Sequence, residues 1–278
     1  MSLIPSLLPN LLLAAATFAL VGVVAPGAEA APTGASQWSD DHASRARLVS
    51  GDAVPQERWA GIEIEMEAGY KTYWRTPGDS GIPAELDWSG SQNVADVEVL
   101  WPAPARFEDP FGFYYGYLEH VVVPVKVTPE DPARPATLSL SLFYGVCKEI
   151  CIPATADVSL TLPPEPAAST PAVAQALATV PEATPLGETE GPLAILDVSP
   201  TGEDTLAVRV RAPRDAMLLA EGPDGSWFLA ASEAADAEGV FSLDVVHRPR
   251  GAQGPFPLRL TLIGADAAIE VETSALLD

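Results

Sequence analysis

Residues 137–162, TLSLSLFYGVCKEICIPATADVSLTL, decide the fold because they hold two alternating segments and both cysteines of the chain. Apolar residues alternate with polar ones before the cysteines, from Leu138 to Leu142, and after them, from Val158 to Leu162. This period of two predicts a pair of half-buried strands. A glycine and a proline bracket the connection, which predicts a hairpin with Cys147 and Cys151 at its turn.

The short spacing of the cysteines limits what a bond between them can do. Three residues separate Cys147 from Cys151, which lets their Cα atoms reach the ~4.4–6.8 Å separation of a disulfide. Closing a loop of about five residues stabilises a fold by ~2 kcal/mol, against ~4.7 kcal/mol for a loop of about 100 residues. A redox-active pair is therefore favoured over a structural disulfide. Metal binding is a third interpretation, but two thiols need further ligands.

Residues 1–30 are predicted to be an export signal. An uncharged apolar run, Leu11–Ala25, is followed by the small-residue pattern Ala28-Glu29-Ala30, which favours cleavage after Ala30. An uncleaved membrane anchor is the alternative, because a span needs ~20 apolar residues. We expect no stable membrane insertion after cleavage. An exported chain lies in a compartment where disulfides form.

The charge balance argues against some classes of partner. The chain has 38 acidic and 15 basic residues, which gives a formal net charge of −23 at pH 7. Nucleic acids and anionic membrane surfaces are both bound through basic patches, so we expect neither as a partner. The simplest role of the acidic excess is to keep an exported protein soluble.

The chain divides into two predicted all-β domains. A Pro- and Ala-rich stretch, 164–191, is predicted to link a domain at 45–163 to a second at 192–278, and residues 31–44 are predicted to be a flexible N-terminal segment. Short strands separated by Gly, Pro and Asp turns are typical of β-sandwiches. The second domain contains no cysteine, which favours a structural or docking role.

Two segments of the first domain are predicted to be loops with an unusual aromatic content. They are Gly69–Gly90 and Trp101–Tyr117, and the second has seven aromatic residues, whereas the whole chain is 7% aromatic. These rings either fix long loops to the fold or cover the sulfur pair until a partner docks. Glycines beside bulky rings in Phe111–Tyr117 favour a movable cover.

Four blocks of sequence, in this order along the chain, resemble the periplasmic N-terminal region of DsbD-type thiol:disulfide interchange proteins. They are YWRTPGD at 73–79, WPAP at 101–104, FEDPFG at 107–112 and YGVCKEIC at 144–151. The resemblance covers roughly residues 45–162 and is nearest to the ScsB-like branch, which is associated with copper tolerance.

The resemblance implies an immunoglobulin-like fold and a redox site, so the expected fold is two immunoglobulin-like β-sandwich domains in tandem after the signal peptide. It implies that Cys151 is the attacking thiol and Cys147 the resolving thiol, with the ring of Phe113 or Tyr114 over the sulfurs. The residues that it assigns to the site are the redox pair Cys147 and Cys151, the cap loop Phe111, Phe113, Tyr114 and Tyr115, and the pocket residues Tyr70, Tyr73 and Asp109.

The resemblance also implies the partners. Reducing equivalents come from a membrane-embedded donor and pass to a periplasmic thioredoxin-fold oxidoreductase, in a setting such as cytochrome c biogenesis, with no cofactor and no metal. The best-known branch has a longer spacing between its cysteines than the three residues found here. No membrane conduit and no thioredoxin-type CxxC motif follow the sandwiches, so we expect separate proteins to supply those steps.

Two other functions stay open at this point. One is a non-redox periplasmic binding or scaffold protein whose disulfide only fixes the hairpin. The other is a copper-handling protein that binds Cu(I) through both thiols. The three methionines are scattered and give no support to a Met-rich copper site.

Overall fold

The computed structural model describes residues 34–54, 57–78, 81–109, 112–165, 170–252 and 254–277. Strands dominate these segments, so the predicted all-β class is confirmed. Within them, no helix has the length and apolar character needed to cross a membrane. The predicted export signal at residues 1–30 lies outside the described residues.

Eleven strands form the first sandwich. In chain order they are β1 (Ser39–Asp41), β2 (Ser44–Val54), β3 (Glu57–Met66), β4 (Lys71–Gly78), β5 (Glu85–Asp87), β6 (Asp96–Val99), β7 (Ala105–Asp109), β8 (Gly112–Leu118), β9 (His120–Thr128), β10 (Ala136–Cys147) and β11 (Cys151–Leu162). One sheet has five strands in the order β1-β2-β3-β9-β6. The other has six, in the order β11-β10-β4-β8-β7, with β5 paired to β10.

The predicted cysteine hairpin is confirmed. Strands β10 and β11 pair antiparallel along their whole length, and Cys147 lies directly opposite Cys151. Leu138 and Leu140 on β10 are buried between the two sheets, as the period of two requires. Burying each such side chain stabilises the fold by about 2 kcal/mol. The fully buried ring of Trp74 on β4 lies in the same core.

Eight strands and one helix follow in the described residues. They are α1 (Pro171–Leu177), β12 (Glu182–Ala183), β13 (Ala194–Gly202), β14 (Thr205–Arg211), β15 (Met217–Glu221), β16 (Phe228–Ala231), β17 (Val240–His247), β18 (Phe256–Ile263) and β19 (Ala268–Ala275). The strands form two four-stranded sheets, β12-β19-β18-β15 and β13-β14-β17-β16, with a separate apolar core. These eight strands are the second sandwich.

Parts of the predicted flexible segment and of the predicted linker are packed instead. Within 31–44, strand β1 pairs with β2. Within 164–191, helix α1 buries Val173 against Val49 and Val122 on the five-stranded sheet. Apolar residues on one face of this short helix explain the packing, and the sequence offered too few of them for a firm helix prediction. The domain boundaries themselves stay a prediction.

The two sandwiches share a partly buried interface, and residues 31–278 cluster as one compact unit. Leu219 on β15 is buried in the core cluster of the first sandwich. Beside it, Arg75 on β4 makes ion pairs with Glu221, at 2.6 Å, and with Glu270. Burial alone lowers the pKa of Arg75, but the hydrogen bonds and charges of Glu221 and Glu270 outweigh it and raise the pKa.

We predict that Arg75→Met lowers the free energy of unfolding by about 3 kcal/mol, because it leaves two partly buried carboxylates without their shared cation. Arg259→Met is the matched control. Arg259 also contacts Glu270 but is 41% exposed, against 18% for Arg75, so its loss costs less than about 1 kcal/mol. Urea denaturation measures the free energy of unfolding of both variants. Equal losses in the two variants would contradict a stabilising role for the partly buried ion pairs of Arg75.

Candidate functional site

The two cysteines are joined in a disulfide, but their environments differ. The bond links the last residue of β10 to the first of β11, with a Cα–Cα distance of 4.1 Å. Cys147 is 3% exposed, whereas Cys151 is exposed to solvent. The turn between them is exposed as well, and Ile150 at its tip is 76% exposed. Cys151 is therefore accessible from solvent, and Cys147 is not.

The disulfide lies on the outer face of the six-stranded sheet, which is the face turned away from the sandwich core. Side chains along a strand point alternately to the two faces. Trp74 and Val146 belong to the main core, while their neighbours Tyr73 and Cys147 belong to a separate small cluster with Tyr114. Ile82 and Phe107 pack against this cluster. We call these five residues the aromatic cluster.

The hydroxyl of Tyr73 contacts both sulfurs. Its oxygen lies 2.8 Å from Cys151 Sγ and 2.9 Å from Cys147 Sγ. A disulfide sulfur carries no proton, so the phenol is the donor in the oxidised state. Gly145, two residues before Cys147, makes room for the ring, because a Cβ there would lie 2.8 Å from Tyr73 Cε2. The glycine of the sequence YGVC therefore allows the ring of Tyr73, on β4, to pack against β10.

Aromatic contacts hold Tyr73 in this position. Tyr73 and Tyr114 meet edge to face with ring centroids 5.5 Å apart, and Tyr114 stacks on Phe107 at the same distance. Such pairs contribute about 0.5–1.5 kcal/mol beyond their burial. The ammonium group of Lys71 lies over two of these rings, 4.9 Å from the centroid of Tyr114 and 5.2 Å from that of Phe107. One cation thus lies over the rings of the aromatic cluster.

The other residues that the sequence assigned to the site lie outside this cluster or outside the described part of the chain. Tyr70 is half-buried beside the main core, and the ammonium of Lys148 lies 5.3 Å from its ring centroid. Phe113 meets Tyr115 edge to face, and both rings lie outside the aromatic cluster. Phe111 lies outside the described residues. Asp109 ends β7, and its side chain is outside the described part.

The predicted cap loop is corrected in one respect. Phe113, Tyr114 and Tyr115 lie within strand β8 and not in a loop. Tyr114 points to the sulfur-bearing face because alternation along β8 turns Tyr115 to the core. The hydroxyl of Tyr73 contacts both sulfurs, and Tyr114 packs in the same cluster as Cys147. Likewise, the predicted loops Gly69–Gly90 and Trp101–Tyr117 contain strands β4, β5, β7 and most of β8.

Three contributors to the site, Lys71, Phe107 and Gly145, are absent from the site residues predicted from the sequence. The sequence held a signal for Lys71, because Lys71 and Tyr73 are two residues apart and a strand places such residues on the same face. Phe107 needs the β7–β8 register, which sets it opposite Tyr114. The need for a glycine at position 145 follows only from the position of the Tyr73 ring, which leaves no room for a Cβ there.

A second group of titratable side chains lies on the five-stranded sheet. Glu63, Glu65 and His120 have ligand atoms within 4.8 Å of one another. Each carboxylate is held by an arginine, Glu63 by Arg47 at 2.6 Å and Glu65 by Arg45 at 2.5 Å. Arginines in these positions compete with a bound cation, so the arrangement is a surface ion-pair network. It includes neither cysteine.

Fold and site together define a β-sandwich domain that presents a disulfide under an aromatic layer. Residues 43–163 match the family model described as thiol:disulfide interchange protein DsbD, N-terminal. This part of the chain is therefore similar to the N-terminal domain of those proteins.

Comparison with solved structures extends the likeness in fold. The crystal structure of the N-terminal periplasmic domain of ScsB from Proteus mirabilis aligns with a TM-score of 0.66 and 22% identity, covering 89% of this chain and 100% of that one. The crystal structure of a conserved domain protein from Bacillus anthracis aligns with a TM-score of 0.25 and 10% identity, covering 87% and 89%. None of the curated proteins matches the chain in sequence.

We predict that Tyr73→Phe raises the pKa of the Cys151 thiol in the reduced protein by about one unit, because a hydrogen bond to a thiolate favours the charged form. The pH dependence of alkylation by iodoacetamide measures that pKa. Tyr70→Phe is the control, since the structure gives the Tyr70 hydroxyl no place in the aromatic cluster. An unchanged alkylation profile in Tyr73→Phe would show that the phenol does not act on the thiolate.

Proposed function

We propose that the chain is a periplasmic thiol–disulfide exchange module, whose Cys147/Cys151 pair passes reducing equivalents to thioredoxin-fold oxidoreductases. A separate membrane-embedded protein is its electron donor. The match of residues 43–163 to the DsbD N-terminal family model supports the chemistry. The similar structure from Proteus mirabilis is that of a periplasmic domain, which supports the location. So does the predicted export signal.

The difference in exposure between the two sulfurs is the observation that carries the proposal. Exchange needs one thiol that a partner can reach and a second thiol that then attacks the mixed disulfide. Cys151 is exposed, and Cys147 is 3% exposed beneath Tyr73 and Tyr114. A disulfide that only stabilised the fold has no need of this asymmetry.

The exchange proceeds in two steps. In the reduced protein, the Cys151 thiolate attacks a disulfide sulfur of the partner, a mixed disulfide forms, and one partner thiolate leaves. The Cys147 thiolate then attacks Cys151 Sγ, the intermolecular bond breaks, and the second partner thiolate leaves. Two electrons pass from this chain to the partner, and the Cys147–Cys151 bond is restored.

The surface around Cys151 suits a protein partner. Ile150 is 76% exposed next to it, and Leu118, at the end of β8, is 51% exposed. Cross-strand pairing places Leu118, Lys71, Cys147 and Cys151 in one row across the end of the sheet. Exposed apolar side chains beside a reactive sulfur provide area that a docking protein buries.

The alternative function, a binding or scaffold protein with a structural disulfide, is less well supported. Opening this bond releases a loop of about five residues, so it contributes only ~2 kcal/mol to stability. The bond also lies on the outer face of one sheet and joins neighbouring strands that already pair along their whole length. It therefore adds little to the connectivity of the sandwich.

We predict that Cys147→Ala accumulates a mixed disulfide between Cys151 and a thioredoxin-fold protein when it is produced in its own cells. The resolving sulfur is absent in this variant, so the intermediate persists. Non-reducing electrophoresis followed by mass spectrometry identifies the partner.

Two variants control this experiment. Cys151→Ala retains the buried sulfur and is expected to trap at least tenfold less, and the variant with both cysteines replaced by alanine traps nothing. Trapping of a thioredoxin-fold protein through Cys147 instead would reverse the assigned roles. Absence of any trapped thioredoxin-fold protein would refute the function.

A further inference from the structure

The second exchange step poses an electrostatic problem that the first does not. Cys147 must attack as a thiolate, yet it is buried in an apolar cluster. Burial favours the neutral thiol and raises its pKa, which reduces the fraction of thiolate near pH 7. A buried resolving cysteine therefore needs a nearby group that favours its ionised form.

Lys71 is placed to act on Cys147. It lies directly opposite Cys147 in the β4–β10 pairing, and residues so paired have Cβ atoms about 4.5–5.5 Å apart on the same face of the sheet. Its ammonium group lies over the rings of Phe107 and Tyr114, and the residue is only partly exposed. Tyr114 itself packs in one cluster with Cys147. The charge therefore lies over the same aromatic cluster that buries the sulfur.

No carboxylate in the described part of the chain neutralises Lys71. The ion pairs there involve other cations, although the protein has an excess of acidic residues. The side chain of Asp109, which ends β7, is outside the described part. The titratable and charged groups around Cys147 are Lys71 and Tyr73 from β4, Tyr114 from β8, Lys148 and Glu149 from the turn, and Cys151 from β11.

We propose that Lys71 is the cation that favours the thiolate of Cys147 and so sets the rate at which the mixed disulfide is resolved. The aromatic pair Phe107 and Tyr114 holds its ammonium group in place through cation–π attraction. Tyr73 assists by donating a hydrogen bond to the same sulfur. This inference rests on the proposed function and adds to it a positioning charge for the second step.

Lys148, although it follows Cys147 in sequence, is poorly placed for this role. It is exposed, and its ammonium donates to the carbonyl of Ala68 at 3.1 Å beside the ring of Tyr70. Solvent and salt screen such a charge. Lys148 therefore provides a matched control, with the same side chain in an exposed position at the turn.

The test follows the reaction of the reduced full-length protein with dithionitrobenzoate, which releases a coloured thiolate at each step. The first release reports attack by Cys151, and the second reports resolution by Cys147. Stopped-flow absorbance separates the two phases across pH 5–10. Cys147→Ala identifies the second phase because that variant shows only the first.

In Lys71→Met the second phase is expected to be about tenfold slower at pH 7, and its pH profile to move up by about one unit, because loss of the cation raises the thiol pKa. The rates converge at high pH, where Cys147 is ionised in both proteins. Lys71→Arg keeps the charge and restores at least half of the rate. Lys148→Met leaves the second phase within about twofold of the parent.

Several outcomes overturn the inference. One is a second phase in Lys71→Met that is unchanged in rate and in pH profile. Another is a second phase that is slowed by the same factor at every pH, as a packing defect would cause. An equal shift of the pH profile in Lys148→Met would show that any positive charge near the hairpin has this effect, and not Lys71 in particular. The reagent is a small molecule, so failure of the Lys71 inference is distinguishable from failure to trap a protein partner.

Discussion

The site depends on one contact, the hydroxyl of Tyr73 against both sulfurs of the Cys147–Cys151 bond. This contact exists because β4 runs beside β10 and turns alternate side chains to the two faces of the sheet. Trp74 fills the sandwich core, and Tyr73 lies on the outer face over Gly145. Strand β4 thus contributes one side chain to the core that stabilises the fold and another to the surroundings of the disulfide.

The same strand connects the site to the second sandwich. Arg75 and Thr76, just past Tyr73, both bond to Glu221 of β15. Arg106, next to Phe107 on β7, makes a longer ion pair with Glu233 at 3.4 Å. In the described residues the second sandwich supplies none of the groups of the aromatic cluster. Its physical relation to the disulfide is through the strands that carry Tyr73 and Phe107.

Sequence alone could predict the elements with a clear period, and the reason is physical. The alternation in Leu138–Leu142 and Val158–Leu162 predicted the hairpin, and its turn placed Cys147 opposite Cys151. Strands β4 and β8 escaped prediction because glycines and aromatic residues on both faces hide their period of two. Which ring reaches the sulfurs depends on the register between β4 and β10, and one sequence does not encode that register in any local pattern.

The site was therefore predictable in its sulfurs but not in its surroundings. The motif supplied the cysteines and the aromatic character of their cover, while the cation and the glycine became visible only from cross-strand neighbours. Residues distant in sequence, such as Lys71 and Cys147, come together through hydrogen-bonded pairing of strands. Resemblance to a family identifies reactive atoms better than it identifies the side chains that tune them.

The reduction potential of the Cys147–Cys151 pair tests the central claim most directly. Equilibration of the folded protein in glutathione buffers of graded composition, followed by alkylation and mass measurement of the free thiols, gives the value. A reversible exchange site predicts a potential less negative than about −300 mV, within reach of periplasmic oxidoreductases. A value clearly more negative than that, typical of structural disulfides in secreted proteins, would contradict the account.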